Sequence, residues 1–302
     1  MRTFTVLVDS SCDMPEEFIT GCGIQVLPMP FSLSGREYKS GYWQEISAKD
    51  FYNSLRKGEV ATTSQINPDA FIKVFTEYAE QGKELLTITL SSCLSGSYQS
   101  ALSALKEVKE THPDCNIHLV DSMNATIGQG LIVMLAVKKG EEGMSAAQTA
   151  EWLEQKRHSV FALFTVDDLM YLHRGGRLSK MSAVAGSLLG FKPVLNVSPD
   201  GTLKLKDRVR GRKASLEMML TQMKRSVNPE TRFDTVTISH GDCADDAEQL
   251  AERVRQTFEV GKVEVMMMGP VISAHVGPGV IAMFFEADMT RPEYEEKYYP
   301  GR

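Results

Sequence analysis

A short apolar strand, a serine-rich loop and a helix follow one another directly between residues 85 and 108. Leu85–Thr89 is apolar and β-branched enough to predict a buried parallel strand, and Ala101–Val108 has the spacing of a helix. The loop that begins at Leu90 therefore ends at a helix N-terminus, where free N–H groups and the helix dipole favour an anion. This unit predicts an open α/β sheet whose ligands bind at the carboxyl edge of the strands.

Ser95, Gly96 and Ser97 provide this loop with hydroxyl groups and with a backbone that a ligand can approach closely. The loop has no lysine and no Gly-Lys-Ser/Thr ending, so it lacks the cation and the metal ligand of a Walker-type triphosphate loop. These residues favour a binding site for a small, singly charged anion. Serines that only cap the helix and form the turn are the alternative, and the loop alone does not decide between the two.

Polar loops also follow other predicted strands. Asp9–Glu17 follows the strand Thr3–Val8, and the segment that begins at Asp121 follows the strand Asn116–Val120. Together with the serine-rich loop and the polar segment Ala61–Phe71, they make four polar loops. Strands that alternate with helices of this length indicate βαβ units and a parallel sheet. We therefore expect the four loops to lie on one edge of that sheet and to form a cleft.

The 302 residues are enough for two domains with cores of their own. The chain changes character near His158, after a predicted helix. We therefore predict an N-terminal α/β domain, residues 1–157, that carries the anion-binding loops. A C-terminal mixed α/β domain, residues 158–302, would contribute His275, and it includes a predicted apolar helix over residues 183–189.

A Pro-Asp-Gly sequence lies between two further predicted strands, Phe191–Val197 and Thr202–Val209, and favours a β-hairpin. Basic residues occupy every other position of the second arm, which places them on one face if the strand continues far enough. They are Lys204, Lys206, Arg208, Arg210 and Arg212. This pattern favours a positively charged functional surface, and a merely solvated strand face is the alternative.

The composition excludes several classes of protein. A net charge of -6 argues against a general nucleic-acid binder, which needs an excess of Lys and Arg. No apolar run approaches the roughly 20 residues of a membrane-spanning helix. The five cysteines contain no C-x-x-C pair and indicate neither a disulfide framework nor a metal site. We therefore expect a cytoplasmic protein without an integral membrane segment, a metal or another cofactor.

His275 lies among apolar residues just before Gly277-Pro278-Gly279, and by itself it is compatible with a purely structural role. A histidine, hydroxyl groups and helix-end amides can together bind a carboxylate, however. Apolar residues suited to enclosing a hydrocarbon chain occur close to these polar groups in the sequence: Leu94, Ile272, Val280, Ile281 and Phe284. A polar site beside such residues predicts a ligand with a charged head and an apolar tail, such as a fatty acid.

Segments along nearly the whole chain together resemble the DegV family, the bacterial fatty-acid-binding proteins also called FakB. They are Asp9–Pro15, Thr63–Gln65, Leu90–Ala101, Val120–Ser122 with Gly128–Gly130, Gly175–Arg177 and His275–Gly279. The resemblance implies an α/β fold with two domains. One would be an α/β/α domain with a parallel sheet, and the other a two-layer α/β domain with a mixed sheet.

The resemblance also implies that a long-chain fatty acid is bound with its tail buried. Its carboxylate ligands would be Thr63, Ser95 and His275. Ser64, Gly96 and Ser97 would complete the polar shell. Of the apolar residues that the sequence itself indicates, we expect Leu94, Ile272 and Phe284 to contact the tail. Arg177 can be an ion-pair partner or a ligand contact. Cys93 stands where the family usually has glycine. Its added volume beside the anion loop is expected to affect which fatty-acid tails the protein prefers.

Family members present the bound acid to a separate ATP-dependent fatty acid kinase, which makes an acyl phosphate for phospholipid synthesis. Because this chain shows no nucleotide-binding motif, we expect a carrier and not an enzyme, with Arg208 and Arg210 docking the kinase. An acyl ester or thioester hydrolase that uses Ser95 and His275 is the alternative, although the loop is not Gly-x-Ser-x-Gly. A regulatory module in which the lipid only fills space is a third possibility.

Overall fold

The structure is a computed structural model that describes residues 2–39, 43–178 and 190–300. The described strands are β1 (Phe4–Asp9), β2 (Gln25–Leu27), β3 (Phe31–Leu33), β4 (Arg36–Tyr38), β5 (Ala61–Thr63), β6 (Glu84–Thr89), β7 (Ile117–Asp121), β8 (Val160–Thr165), β9 (Phe191–Val197), β10 (Leu203–Arg210), β11 (Arg232–His240), β12 (Glu259–Met267) and β13 (Ile281–Glu286). The described α-helices are α1 (Glu16–Gly21), α2 (Ala48–Arg56), α3 (Pro68–Glu80), α4 (Ser97–Thr111), α5 (Ile127–Glu141), α6 (Ala146–Lys156), α7 (Met170–Arg174), α8 (Arg212–Ser226), α9 (Ala244–Thr257), α10 (Pro270–Val276) and α11 (Arg291–Tyr298). The helix predicted over residues 183–189 lies outside the described residues.

Four strands form a parallel sheet with the spatial order β2-β1-β6-β7. Asp9, the last residue of β1, accepts hydrogen bonds from the Leu90 amide (2.8 Å) and from Nε2 of Gln129 (3.0 Å). The Ile66 amide donates to Oγ of Ser97 over 3.1 Å, which joins the fourth polar loop to the same edge. The four loops therefore meet at the carboxyl edge of this sheet, as the sequence predicts.

Six strands form a mixed sheet with the order β10-β9-β8-β13-β11-β12. β11 and β12 run parallel to each other, and the other neighbours are antiparallel. β9 and β10 form the predicted hairpin, with Leu203 opposite Val197. One parallel and one mixed sheet confirm the predicted α/β fold class.

A third sheet contains three short antiparallel strands in the order β4-β3-β5, and the sequence analysis did not anticipate it. Each strand has only three residues, which is too short for a clear alternation of apolar and polar side chains. The sheet matters for function because its register places Thr63 opposite Phe31. Phe31 is buried and stacks on Tyr38 with ring centroids 4.8 Å apart, so the strand that carries Thr63 rests on a packed core.

The predicted basic face of five residues is wrong. Strand β10 has a register shift between Leu205 and Asp207, and Lys206 is buried in an ion pair with Glu295. Arg212 begins helix α8 and forms an ion pair with Asp246 instead of continuing the strand. Arg208 and Arg210 are the members of the pattern that remain exposed on β10. The alternation fails because a bulge changes which face the side chains take.

Buried apolar residues of both large sheets pack into one cluster, in which Val6 and Ile88 of the parallel sheet join Ala162 and Phe164 of the mixed sheet. The two halves of the sequence therefore share a core across their junction. The domain boundary near His158 stays a prediction. Within the described ranges, no helix combines the length and the apolar character needed to cross a membrane.

Candidate functional site

An apolar cavity of about 260 Å³ lies between the loops of the parallel sheet and one face of the mixed sheet. The mixed sheet contributes Ala162, Phe164, Val197, Leu203, Ala282 and Phe284 to its lining. Leu94 and Ile272, which the sequence analysis assigned to the tail together with Phe284, also line it. Polar residues of the lining include Thr63, Gln65, Ser95, Arg177 and His275. The cavity therefore combines an apolar body with hydroxyl, amide, imidazole and guanidinium groups.

Thr63 and His275, which are far apart in the sequence, form a direct hydrogen bond in this site. Oγ1 of Thr63 lies 2.8 Å from Nε2 of His275. Nδ1 of His275 is buried and has no hydrogen-bond partner among the described residues. Burial, with a smaller contribution from the positive charge of Arg177, lowers the pKa of His275 to about 4. The imidazole is therefore neutral at neutral pH, and it can donate only one hydrogen bond.

Tight backbone packing sets the position of the His275 ring. His275 lies on α10, which begins with Pro270 at its first helical position. The ring packs against Gly175, directly after α7, so closely that a Cβ atom on Gly175 would lie 2.3 Å from Nδ1. Residue 175 must therefore be a glycine, because the His275 ring approaches its backbone too closely for a side chain.

Ser95 and Ser97 have different roles in the serine-rich loop. Ser95 lines the cavity, and its Oγ lies 3.0 Å from Oγ of Ser97. Ser97 is fully buried, lies outside the cavity lining and accepts the hydrogen bond from the Ile66 amide. Ser97 therefore orients Ser95 and connects two loops. This role differs from the predicted one, in which Ser97 belongs to the polar shell around the ligand.

Ser64, another expected member of the polar shell, is exposed and lies outside the cavity lining, whereas the adjacent Gln65 lines the cavity. Nε2 of Gln65 donates to Oγ of Ser100 over 3.0 Å. Gly96 also lines the cavity, and a Cβ atom there would lie 1.9 Å from Oε1 of Gln65. Gln65 was not among the predicted site residues, although the alternation of side chains after Thr63 could have indicated it.

Arg177 places a positive charge at the polar part of the cavity. Its Nε donates to the Leu94 carbonyl over 3.0 Å, and a second nitrogen donates to the Gly175 carbonyl. Burial lowers the pKa of Arg177. In the described part of the chain, no carboxylate lies within ion-pair distance of its guanidinium. The sequence left two roles open for Arg177, an ion-pair partner or a ligand contact. The structure does not support the ion pair, so the guanidinium is available to bind an anion.

A buried carboxylate that the sequence analysis did not single out supports the loops. Asp9 is 1% exposed and accepts from the Ser11 amide (3.1 Å) in addition to Leu90 and Gln129. Burial raises the pKa of Asp9, while these hydrogen bonds lower it. Asp9 therefore holds the start of the serine-rich loop against β1.

The arrangement does not resemble a hydrolytic triad. The hydroxyl of Ser95 contacts Ser97, and the imidazole of His275 contacts Thr63. Nδ1 of His275, where an orienting carboxylate would bind, has no partner among the residues described.

Cys93 is exposed and lies outside the cavity lining, and its Sγ is 3.0 Å from the Asp200 carbonyl. The volume of the Cys93 side chain therefore does not narrow this cavity. No group of three residues that could hold a metal ion occurs in the described ranges.

Comparison with known proteins assigns the chain to a family. A family model described as "Uncharacterised protein, DegV family" matches residues 3–288. The chain belongs to the DegV family. A DegV domain-containing protein of Clostridium perfringens is 39% identical over 293 residues, which cover 97% of this chain and 100% of the relative.

Solved structures of DegV proteins share the fold. A solved structure that describes fatty acid binding of a DegV family protein from Thermus thermophilus has a TM-score of 0.85 and 31% sequence identity to this chain. The match covers 95% of this chain and 100% of that one. A DegV lipid binding protein from Thermotoga maritima has a TM-score of 0.83 and 28% identity, covering 96% of this chain and 100% of that one. The DegV fold thus extends over both large sheets of this chain.

Proposed function

We propose that this DegV protein binds a long-chain fatty acid. The observation that carries the proposal is one cavity whose lining combines Thr63, Ser95 and His275 with apolar side chains of the mixed sheet and of the loops after the parallel strands. The carboxylate would accept hydrogen bonds from these three residues, and the tail would lie against Leu94, Ile272 and Phe284. The fatty acid and lipid binding described for the relatives from Thermus thermophilus and Thermotoga maritima supports this ligand class.

The charges of the site suit a carboxylate. His275 is neutral, so a bound carboxylate would receive a neutral hydrogen bond from the imidazole, and Arg177 would supply the positive charge. The hydroxyl of Thr63 would turn from His275 toward the ligand or remain shared with it. Gln65 is a further amide donor that lines the cavity.

The protein would present its ligand to a separate ATP-dependent kinase, which forms an acyl phosphate for phospholipid synthesis. The FakB resemblance and the lack of a nucleotide-binding motif in the sequence support this role. The exposed Arg208 and Arg210 of β10 offer the kinase a positively charged docking surface.

Native mass spectrometry of the purified protein tests fatty-acid binding, followed by extraction of the ligand and its identification. We expect the mass of one long-chain fatty acid per chain, and we expect added fatty acid to exchange with it. The matched variants are Ser95→Ala, which removes a hydroxyl that lines the cavity, and Ser64→Ala, which removes an exposed hydroxyl outside it. If the protein carries no fatty acid and takes up none, the proposal is wrong.

A further inference from the structure

The turn between β9 and β10, residues 198–202, connects two residues that line the cavity. Val197 at the end of β9 pairs with Leu203 at the start of β10, and both line the cavity. We call these two residues the hairpin wall and residues 198–202 the hairpin turn. Because the turn joins the two strand ends, its position sets the position of the hairpin wall.

A buried arginine, Arg291, binds the hairpin turn from the C-terminal helix α11. Its side chain is 1% exposed, and its Nη1 donates to the Ser198 carbonyl over 3.0 Å and lies 3.4 Å from the Val197 carbonyl oxygen. The same nitrogen donates to the Met123 carbonyl over 2.9 Å, and Nη2 donates to the Arg157 carbonyl over 3.3 Å. One guanidinium therefore joins the hairpin turn, the loop after β7 and the segment before β8.

The start of α11 places Arg291 at this junction. Thr290 and Glu293 form a capping box, in which the Thr290 amide donates to a carboxylate oxygen of Glu293 over 2.7 Å. Arg291 is the first residue of the capped helix. Burial, with a smaller contribution from the charge of Arg157, lowers the pKa of Arg291 to about 10. The guanidinium is therefore charged at neutral pH, and its hydrogen bonds to the carbonyl groups are charge-assisted.

A second buried side chain, Ser91, binds the same turn from the serine-rich loop. Its Oγ donates to the Gly201 carbonyl over 2.9 Å. Gly201 has a φ of +79°, and a Cβ atom there would lie 2.4 Å from Oγ of Ser91, so this contact requires a glycine. The hairpin turn is thus bound to two loops of the parallel sheet, and both loops contribute lining residues, Ala125 in one and Leu94 in the other.

We propose that Arg291 and Ser91 are positioning residues for the tail of the bound fatty acid, because they hold the hairpin wall against the loops of the parallel sheet. This inference rests on the proposed function, since it concerns a wall against which the proposed ligand packs. Both residues lie outside the described cavity lining and act through the backbone of segments that line it. Apolar contacts weaken strongly when a gap of about 1 Å opens, so a released hairpin turn lowers affinity although no residue in contact with the ligand has changed.

Isothermal titration calorimetry with palmitate, on the full chain after removal of its lipid, tests this assignment. Arg291→Lys keeps the positive charge but loses the planar guanidinium that reaches three segments at once. We expect it to weaken palmitate binding about tenfold. Met219→Ala is the control, because Met219 is fully buried on α8, in the apolar cluster on the opposite face of the mixed sheet. It should lower the melting temperature and change palmitate affinity less than twofold.

A double-variant cycle separates positioning from a general loss of stability. Leu203→Ala shortens a side chain of the hairpin wall, so its loss of affinity should overlap with that of Arg291→Lys. We expect the combined loss to be about threefold smaller than the product of the two single losses. Leu203→Ala combined with Met219→Ala should give the full product. Ser91→Ala should show the same coupling to Leu203→Ala, and it replaces Arg291→Lys in the test if circular dichroism shows that this variant does not fold.

The outcomes distinguish this inference from the proposed function. Wild-type palmitate affinity in Arg291→Lys, or in Ser91→Ala where that variant replaces it, overturns the assignment while fatty-acid binding stands. Losses that multiply in full with Leu203→Ala, or an equal loss in Met219→Ala, also overturn it, because the residues would then act only through overall stability. If the wild type does not bind palmitate, the proposed function itself fails, and this inference fails with it.

Discussion

At the scale of single residues, the site depends on a contact between two side chains that lie 212 positions apart, Thr63 and His275. The hydroxyl of Thr63 holds the imidazole at one nitrogen, and Gly175 packs against the other. Neither side chain is charged at neutral pH in this arrangement. In the proposed function, recognition of the carboxylate would therefore depend on the geometry of neutral donors together with the charge of Arg177.

Replacing Thr63 by valine keeps the shape of the side chain and removes its hydroxyl. We expect fatty-acid affinity to fall about tenfold, because a hydrogen bond to a charged ligand is lost and the imidazole is no longer held. Titration of the lipid-free protein with a fatty acid measures this change. Thr62→Val is the control, since Thr62 is an exposed neighbour that does not line the cavity, and equal losses in both variants would contradict the role of Thr63.

His275 also predicts a dependence of stability on pH. An unfolded histidine binds a proton near pH 6.5, whereas folded His275 does so only near pH 4, so between these values the unfolded state holds more protons. Stability conferred through this group is therefore present above pH 6.5, and up to about 3 kcal/mol of it is lost as the pH falls to 4. Urea unfolding at several pH values should show a smaller loss for His275→Asn than for the wild type. His173→Asn, at an exposed histidine, should retain the wild-type pH dependence, and identical curves for all three proteins would refute the assignment.

At the scale of secondary-structure elements, short connections position the site. The turn after α7 places Gly175 against α10, the three-residue strand β5 places Thr63, and the N-terminus of α4 places Ser95. The cavity thus receives one polar group from each of several elements that are distant in the sequence. Small shifts in these connections are expected to weaken binding without unfolding the chain.

Gly175→Ala tests this dependence on element packing. The new Cβ would lie 2.3 Å from Nδ1 of His275, so the ring must move and its hydrogen bond to Thr63 must lengthen or break. We expect about a tenfold loss of fatty-acid affinity with the secondary structure retained in circular dichroism. Gly21→Ala is the matched control, because a Cβ atom there meets no neighbour within 4 Å, and it should leave binding unchanged. Wild-type affinity for Gly175→Ala would show that the ring position is not critical.

At the scale of the whole molecule, the ligand site and the proposed docking surface lie on different parts of the chain. The cavity lies between the loops of the parallel sheet and one face of the mixed sheet, whereas Arg208 and Arg210 project from β10 at the edge of the mixed sheet. The chain carries a net charge of -6, so these exposed arginines form a local positive surface on an acidic protein. Such a surface can steer a partner without contributing to ligand affinity.

Reversing the charge of this surface separates docking from binding. We expect the double variant Arg208→Glu/Arg210→Glu to reduce acyl phosphate formation by the proposed partner kinase at least tenfold, with little change in fatty-acid affinity. The measurement is the rate of ATP-dependent acyl phosphate formation at several concentrations of the variant. Lys106→Glu/Lys109→Glu is the control, because it makes the same change of net charge at two exposed positions of α4. An equal loss of kinase reaction and of fatty-acid binding would show that the two roles are not separate.

Much of the fold follows from local sequence patterns. The apolar strands, the Pro-Asp-Gly hairpin and the polar loops after strand ends each depend on residues close in the chain, and the structure contains all three. The three-residue strands β3, β4 and β5 were missed because such short segments carry no clear periodicity. The prediction of a basic face failed because the register shift between Leu205 and Asp207 interrupts the alternation of side chains along β10. Nothing in the local sequence pattern indicates this shift.

By itself the sequence determined the α/β class, the polar loops at the sheet edge and the residue types suited to a carboxylate, because these follow from local propensity and from the chemistry of side chains. Only the tertiary structure decided which of these residues share a cavity. It placed Gln65 in the cavity lining, put Ser64 outside it and buried Ser97 as a support for Ser95. It also paired Thr63 with His275 and buried the imidazole, which sets its charge. The physical reason is that burial and contact depend on packing between elements that are remote in the sequence, whereas propensity and chemical type belong to each segment alone.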